Sequence, residues 1–269
     1  MWYDPYYYSG TTVLKNKFDI KDQKTLLRKE AEIVTYELYK LHVFPLEGEY
    51  DFAHLCKMHE RIFGKLYSWA GKPRIVELLK EEPILNNCSI RYESPFNIEK
   101  SATKILDSMK AVPWKDLNQK QLVSEIASHY VQLWKVHPFR EGNTRTITNF
   151  IIQYMEEQQI YLSRAYFAEN LKKNKDFPLR DSLVLAAAYY DGIPNKDLFE
   201  PIEIIIRASI ERHQKDMEKY MDSSKDGKKS LRDYYKMLFF EKEKGDVKNN
   251  QNNEVSKDRT PKDKTSFEK

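Results

Sequence analysis

A chain of 269 residues is one domain, or one domain with an appendage, and is long enough to bury a substantial core. Apolar residues make up 41% and only 8 glycines are present, too few for a Gly-rich all-β fold. With 45 basic residues against 41 acidic ones the net charge is +4, which describes a mixed, solvated surface and argues against nucleic acid as a partner.

Residues 1–20 are Tyr-rich and read as an N-terminal arm packed on the domain. Their opening, MWYDPYYYSG, has neither the basic nor the apolar region of a signal peptide. Residues 21–43 carry a helical pattern, with Asp22 as cap and Leu26, Ile33, Val34, Leu38 and Leu41 recurring at helical spacing. Residues 51–67 repeat it behind Asp51, through Phe52, Leu55, Met58, Ile62 and Phe63. In this helix His54, Cys56 and His59 are spaced by two and five, which does not put metal ligands on one face. Cys56 and Cys88 read as free thiols in a reducing compartment.

After Gly71 and Pro73 the pattern changes. Residues 74–92 hold short β-prone pieces separated by Glu81, Glu82, Pro83, Asn86 and Asn87, and read as a small β-hairpin or an irregular flap. Helices are expected again over 96–110 and 119–136, the second stopping near His137 because Pro138 disfavours helical geometry before it. Another begins near Asn143, and helical patterns return around 164–172, 178–190 and 198–221. Trp69, Trp114 and Trp134 fall beside apolar faces and read as core. The main domain is placed at 21–215, and 216–269 is read as a charged helix passing into a disordered tail, in which Lys225 to Lys229 is a solvated run. No apolar run approaches the roughly 18 residues of a membrane span, so the protein is expected in the cytoplasm. An effector secreted without an ordinary signal peptide is the alternative.

The chemistry concentrates in Val136-His137-Pro138-Phe139-Arg140-Glu141-Gly142-Asn143-Thr144-Arg145-Thr146. A helix N-terminus at Asn143 presents unpaired N–H groups, and Gly142 lets the backbone come close to a ligand, which together suit a phosphate. Arg145 in the first turn opposes the helix dipole and makes sense where an anion shares the site. Glu141 would repel a bare phosphate, a conflict that Mg²⁺ between the two resolves. His137 titrates near neutrality and can take a proton from a hydroxyl, while Phe139 anchors the loop on the core. A base, a metal ligand, an anion nest and a phosphate-binding arginine are the equipment of phosphoryl or nucleotidyl transfer. The same residues also fit a structural histidine before a proline and a Gly-Asn helix cap.

The loop resembles the motif HPFx(D/E)GN(G/K)RxxR of the Fic family at His137, Pro138, Phe139, Glu141, Gly142, Asn143 and Arg145. YYYSGTTVLKNKFDIKDQKTL and DFAHLCKMHERIFGKLYSWAGKPR are similar to the family's lead-in and to its helix ending in a WAG-type turn, so the likeness runs over about residues 6–210. The resemblance implies an all-α fold, a Fic-type helical bundle with a small β-hairpin flap beside the active-site loop. It implies a protein adenylyltransferase that moves AMP from ATP, with Mg²⁺, to a Ser, Thr or Tyr hydroxyl of a target protein. His137 would be the general base and Glu141 the Mg²⁺ ligand, with Arg140, Gly142, Asn143, Thr144 and Arg145 around the nucleotide phosphates. The flap residues Val76, Glu77, Leu78, Leu79 and Lys80 would clamp the target backbone as an added strand.

Two positions depart from the motif. Thr144 replaces Gly or Lys, and Thr148 replaces the second arginine, which in AMP-transferring members grips the γ-phosphate. A Doc-like kinase or another nucleotide-group transferase therefore stands as a second reading, and a catalytically weak scaffold that binds a partner as a third. The inhibitory motif (S/T)xxxE(G/N) is not found in the chain. Control then falls to a separate inhibitory protein using other contacts, to expression, or to nothing. Target identity and oligomeric state are left open.

Overall fold

The computed structural model describes residues 4–170, 178–193 and 195–223. The chain divides into two compact units, Met1–Lys215 and Asp216–Lys269. Of the second unit only the end of the last helix lies within the described residues; the tail read from the sequence, with its Lys225–Lys229 run, lies outside them.

Among the described residues eight α-helices follow in order: α1 Gln23–Val43, α2 Phe52–Phe63, α3 Ile98–Lys110, α4 Gln119–Val136, α5 Asn143–Glu157, α6 Arg164–Asn170, α7 Leu179–Tyr190 and α8 Glu200–Ser223. The carboxylate of Asp22 caps α1 by accepting from the Thr25 N–H, and that of Asp51 caps α2 from the His54 N–H. Asn118 and Gln121 close a reciprocal capping box at the start of α4. α2 ends earlier than its apolar pattern, at Phe63, where Gly64 is a poor residue with which to continue a helix.

α5 packs against α2 on one side and α4 on the other, and α4 also meets α3 and α7. Leu55, Met58, Ile62, Tyr130, Leu133, Trp134, Ile147 and Phe150 meet in the core, each with essentially no exposure. The α4–α5 connection, which carries the motif loop, is therefore held at both ends by buried helices. Trp69, Trp114 and Trp134 are all buried, as their sequence positions led one to expect.

The N-terminal arm, from Asp4, folds back on itself through an antiparallel bridge between Tyr7 and Leu14. The Tyr6 ring stands edge-on to Trp69 at 5.4 Å. Residues 74–92 take the irregular form, not a laddered hairpin. One antiparallel bridge joins Glu82 to Cys88 around a single 3₁₀ turn, Pro83–Leu85. Two of the groups that a hairpin would pair are taken by side chains: the Ile75 N–H donates to the Tyr6 hydroxyl and the Val76 carbonyl accepts from Arg74. Among the described residues no helix is long and apolar enough to cross a membrane.

Candidate active site

α4 ends at Val136, and His137 takes a left-handed conformation with φ 49° and ψ 59°. Such a conformation costs a non-glycine residue roughly 1–2 kcal/mol. Its neighbours hold it there. The Trp134 carbonyl accepts from the His137 N–H at 3.1 Å and lies 3.2 Å from Nδ1. The His137 carbonyl accepts from Nε of Arg74 at 2.8 Å. With Nδ1 donating to a carbonyl, the proton sits on Nδ1 and the lone pair on Nε2. The ring packs against Tyr92, 4.3 Å between centroids, and Trp134, 5.2 Å. Burial, then the Lys80 ammonium, pushes its pKa well below the usual histidine range, so the imidazole is a neutral base at physiological pH.

Arg74 is the main staple of the loop. Its side chain is buried, and its guanidinium donates to the carbonyls of His137, Val136, Val76 and Glu93, while its backbone N–H donates to Pro138. Phe139 is fully buried and stacks on His59 at 3.8 Å. His59 in turn donates from Nε2 to the Glu141 carbonyl at 3.0 Å and accepts the Gly71 N–H on Nδ1 at 2.8 Å. Burial holds its pKa at about 4, so it serves as a neutral support.

The structure gives three of the phosphate candidates additional or different partners. The Asn143 amide clasps Phe139 from both sides, accepting its N–H at 2.9 Å and donating to its carbonyl at 2.7 Å. What Asn143 can offer an anion is thus its backbone N–H and the second hydrogen of its amide nitrogen. Arg140 is drawn away to the N-terminal arm: it pairs with Asp4 at 2.9 Å, donates to the Tyr7 hydroxyl and lies over the Tyr7 ring. The Thr144 hydroxyl accepts from the Trp134 indole at 2.9 Å.

Gly142, the residue just before α5, has φ 83° and offers no side-chain cap, so the first turn keeps donors for a ligand. Arg145 lies above the Phe63 ring, 2.6 Å from Glu30 and 3.6 Å from Glu141. Glu30 is a buried acid on the apolar face of α1, where it also accepts from the Tyr67 hydroxyl at 2.5 Å. Glu141 is 40% accessible in its side chain, and one oxygen accepts the Gly142 N–H. Desolvation raises its pKa, but Lys80, that N–H, Arg145 and Arg140 outweigh it and hold the carboxyl below its usual range. Among the described residues no group of three or more acidic, His or Cys side chains could hold a metal alone. One ionised carboxylate beside an uncapped helix N-terminus does fit Mg²⁺, which takes one or two carboxylates and completes its shell with phosphate oxygens and water. Thr148 is buried, donating to the Thr144 carbonyl at 2.5 Å and bonded to the Tyr130 hydroxyl at 2.5 Å, so its side chain turns into the core.

The first limb of the flap is extended and alternates: Ile75, Glu77 and Leu79 point outward, while Val76, Leu78 and Lys80 are turned inward. Leu79 is 87% exposed. From Glu77 to Leu79 the backbone N–H groups have no backbone partner among the described residues. Lys80 reaches the site, with Nζ 3.1 Å from Nε2 of His137. Glu82, fully buried, anchors the flap by accepting both nitrogens of Arg180 at 2.6 and 2.8 Å and the Tyr92 hydroxyl at 3.2 Å.

The motif had not pointed to Arg74, His59, Glu30 or Arg180. Glu30 and His59 do leave a sequence signal, because each sits at a helical core position flanked by apolar residues, between Leu26 and Val34 and between Leu55 and Ile62.

Comparison with known proteins points the same way. Residues 49–155 match the Fic/DOC family. The chain is 34% identical over 155 residues to protein adenylyltransferase VbhT of Bartonella schoenbuchensis, covering 57% of this chain and 31% of that protein. It is 33% identical over 150 residues to the probable protein adenylyltransferase y4lH of Sinorhizobium fredii, covering 55% of this chain and 73% of that one. Among solved structures, BepC of Bartonella tribocorum, a VirB-translocated effector protein with bound AMPPNP, superposes with a TM-score of 0.58. That match is 22% identical and covers 76% of this chain and 95% of the chain in that structure, a likeness of fold. The chain thus spans about a third of the first of these relatives and nearly three quarters of the second.

Proposed function

This chain belongs to the Fic/DOC family, and on that premise we propose that it is a protein adenylyltransferase, transferring AMP from ATP to a Ser, Thr or Tyr hydroxyl of a target protein. The observation that carries the reading is the state of His137. Its Nδ1 proton is fixed by the Trp134 carbonyl and its Nε2 lone pair faces Lys80 of the flap, on the short loop that leads into the uncapped start of α5.

His137 takes the hydroxyl proton on Nε2. The N–H groups at the start of α5 receive the transferred phosphate, and Arg145, held in direction by Glu30 and the Phe63 ring, faces the leaving phosphates. Glu141 would hold Mg²⁺, which when bound would neutralise phosphate charge. The unpaired limb Glu77–Leu79 offers its backbone to an extended target segment, and the exposed Leu79 gives that segment an apolar contact. A cytoplasmic protein target, or one in another cell reached by translocation, is compatible with a chain similar to translocated effectors. An inhibitory protein would have to work without an arginine at position 148.

Thr148 favours one second reading, phosphoryl transfer by the same loop, because the γ-phosphate loses the charge that normally grips it. The two differ in the adduct. Peptide mass spectrometry of target proteins treated with the enzyme, ATP and Mg²⁺ is expected to find AMP on a hydroxyl side chain. A phosphate adduct instead would replace the proposal with a kinase.

The buried position of Thr148 makes a separate prediction. Thr148→Val should leave the KM for ATP within about twofold, since the hydroxyl faces Tyr130 and not the ligand. It should lower stability by about 1–3 kcal/mol, the cost of stranding a buried hydroxyl. A KM raised tenfold with unchanged stability would place Thr148 among the phosphate ligands.

A further inference from the structure

The arginines around the loop are committed to protein acceptors: Arg74 to four carbonyls, Arg140 to Asp4 and Tyr7, Arg145 to Glu30, and Arg180 to Glu82. Lys80 differs from all of them. It forms no ion pair among the described residues, and its ammonium is bonded to a neutral atom, Nε2 of His137, at 3.1 Å. That atom is the one that has to accept the hydroxyl proton, so a lysine that stayed there would block the base.

The placement is enforced by the flap. The Lys80 N–H donates to the Ser89 hydroxyl at 3.1 Å, and two residues later Glu82 is locked to Arg180 and Tyr92. The alternating limb turns position 80 inward, over the Tyr92 ring at 6.0 Å, where burial lowers the pKa of the ammonium and the Glu141 carboxylate acts against that shift. The motif position that would grip the γ-phosphate is Thr148, which is buried and bonded to Tyr130. A site for a highly charged nucleotide therefore lacks one cation from its motif and carries one uncommitted cation on its flap.

We propose that Lys80 is a phosphate-binding residue of the transfer: when ATP is bound its ammonium moves from Nε2 of His137 to the nucleotide phosphate, which both uncovers the base and supplies positive charge that position 148 does not. This rests on the reading that the chain transfers from ATP. It gives the flap a second task besides holding the target, and ties exposure of the base to arrival of the nucleotide.

The test compares wild type with Lys80→Met and Lys80→Arg. Calorimetric binding of the β,γ-imido analogue of ATP with Mg²⁺ is expected to weaken about tenfold in Lys80→Met and to stay within about threefold in Lys80→Arg. With ATP and target, kcat/KM should fall about 10²-fold in Lys80→Met and largely recover in Lys80→Arg. Binding unchanged in Lys80→Met, or transfer as fast as wild type or faster, would overturn the proposal and leave Lys80 as a plug on His137. If wild type binds the analogue yet modifies no protein, the adenylyltransferase reading fails, while the binding comparison still decides the role of Lys80. A thermal melt of each variant separates these outcomes from misfolding, and a Lys80→Arg variant that folds yet binds as weakly as Lys80→Met would also count against the proposal.

Discussion

His137→Ala is expected to lower transfer by about 10²–10⁴-fold, the usual contribution of a positioned general base, while leaving nucleotide binding largely intact. The imidazole is placed to take a proton, and the anion site is built from other groups: the start of α5, Glu141 and Arg145. The same geometry fixes the pH dependence. Burial first, and the Lys80 ammonium second, favour the neutral ring, so the base is ready at neutral pH. On acidification activity is lost only when His137 protonates, and the depressed pKa moves that loss to lower pH. The acidic limb of kcat/KM should therefore have its midpoint below the usual histidine range. A midpoint at or above that range, or a His137→Ala variant of near wild-type activity, would remove His137 from the chemistry.

Gly142→Ala is expected to damage both fold and activity. Gly142 has φ 83°, and a Cβ added there would meet Cε2 and Cζ of Phe63 at 2.4 Å. The left-handed backbone alone costs a non-glycine roughly 1–2 kcal/mol, and overpacking a core adds roughly 1–3 kcal/mol. Phe63 is fully buried and lies under the Arg145 guanidinium, so pushing it displaces the arginine and the first turn of α5 together. A misplacement of about 1 Å at a reacting centre costs about 10²-fold, which is the loss expected in kcat. Denaturant unfolding and steady-state kinetics check the two halves. Wild-type kcat in a folded Gly142→Ala would show that the loop tolerates a shifted start of α5 and that the close approach of Gly142 to Phe63 is not what shapes the site.

Most helices could be read from the chain because each joins an apolar stripe to a local signal: Asp22 before α1, Asp51 before α2, Pro138 after α4 and Gly142 before α5. These are short-range effects, and sequence distance does not weaken them. The loop was legible for the same reason, since its base, its acid and its helix start lie within ten residues. The flap was not. Whether residues 74–92 pair as a hairpin depends on who takes the backbone groups, and Tyr6 and Arg74 take them through side chains that no alternation pattern announces. Arg140 shows the same limit: its partners, Asp4 and Tyr7, stand more than 130 positions away. The sequence places Lys80 in the flap for its backbone, whereas the structure makes its ammonium the feature that touches the base.

The most direct test of the account supplies ATP labelled separately at the α- and γ-phosphate, with Mg²⁺ and a lysate as the source of target, to wild type and to His137→Ala. The account predicts α-label on protein with wild type, none from the γ-position, and none from either with His137→Ala. Label from the γ-phosphate alone, or α-label that survives the loss of His137, would contradict it.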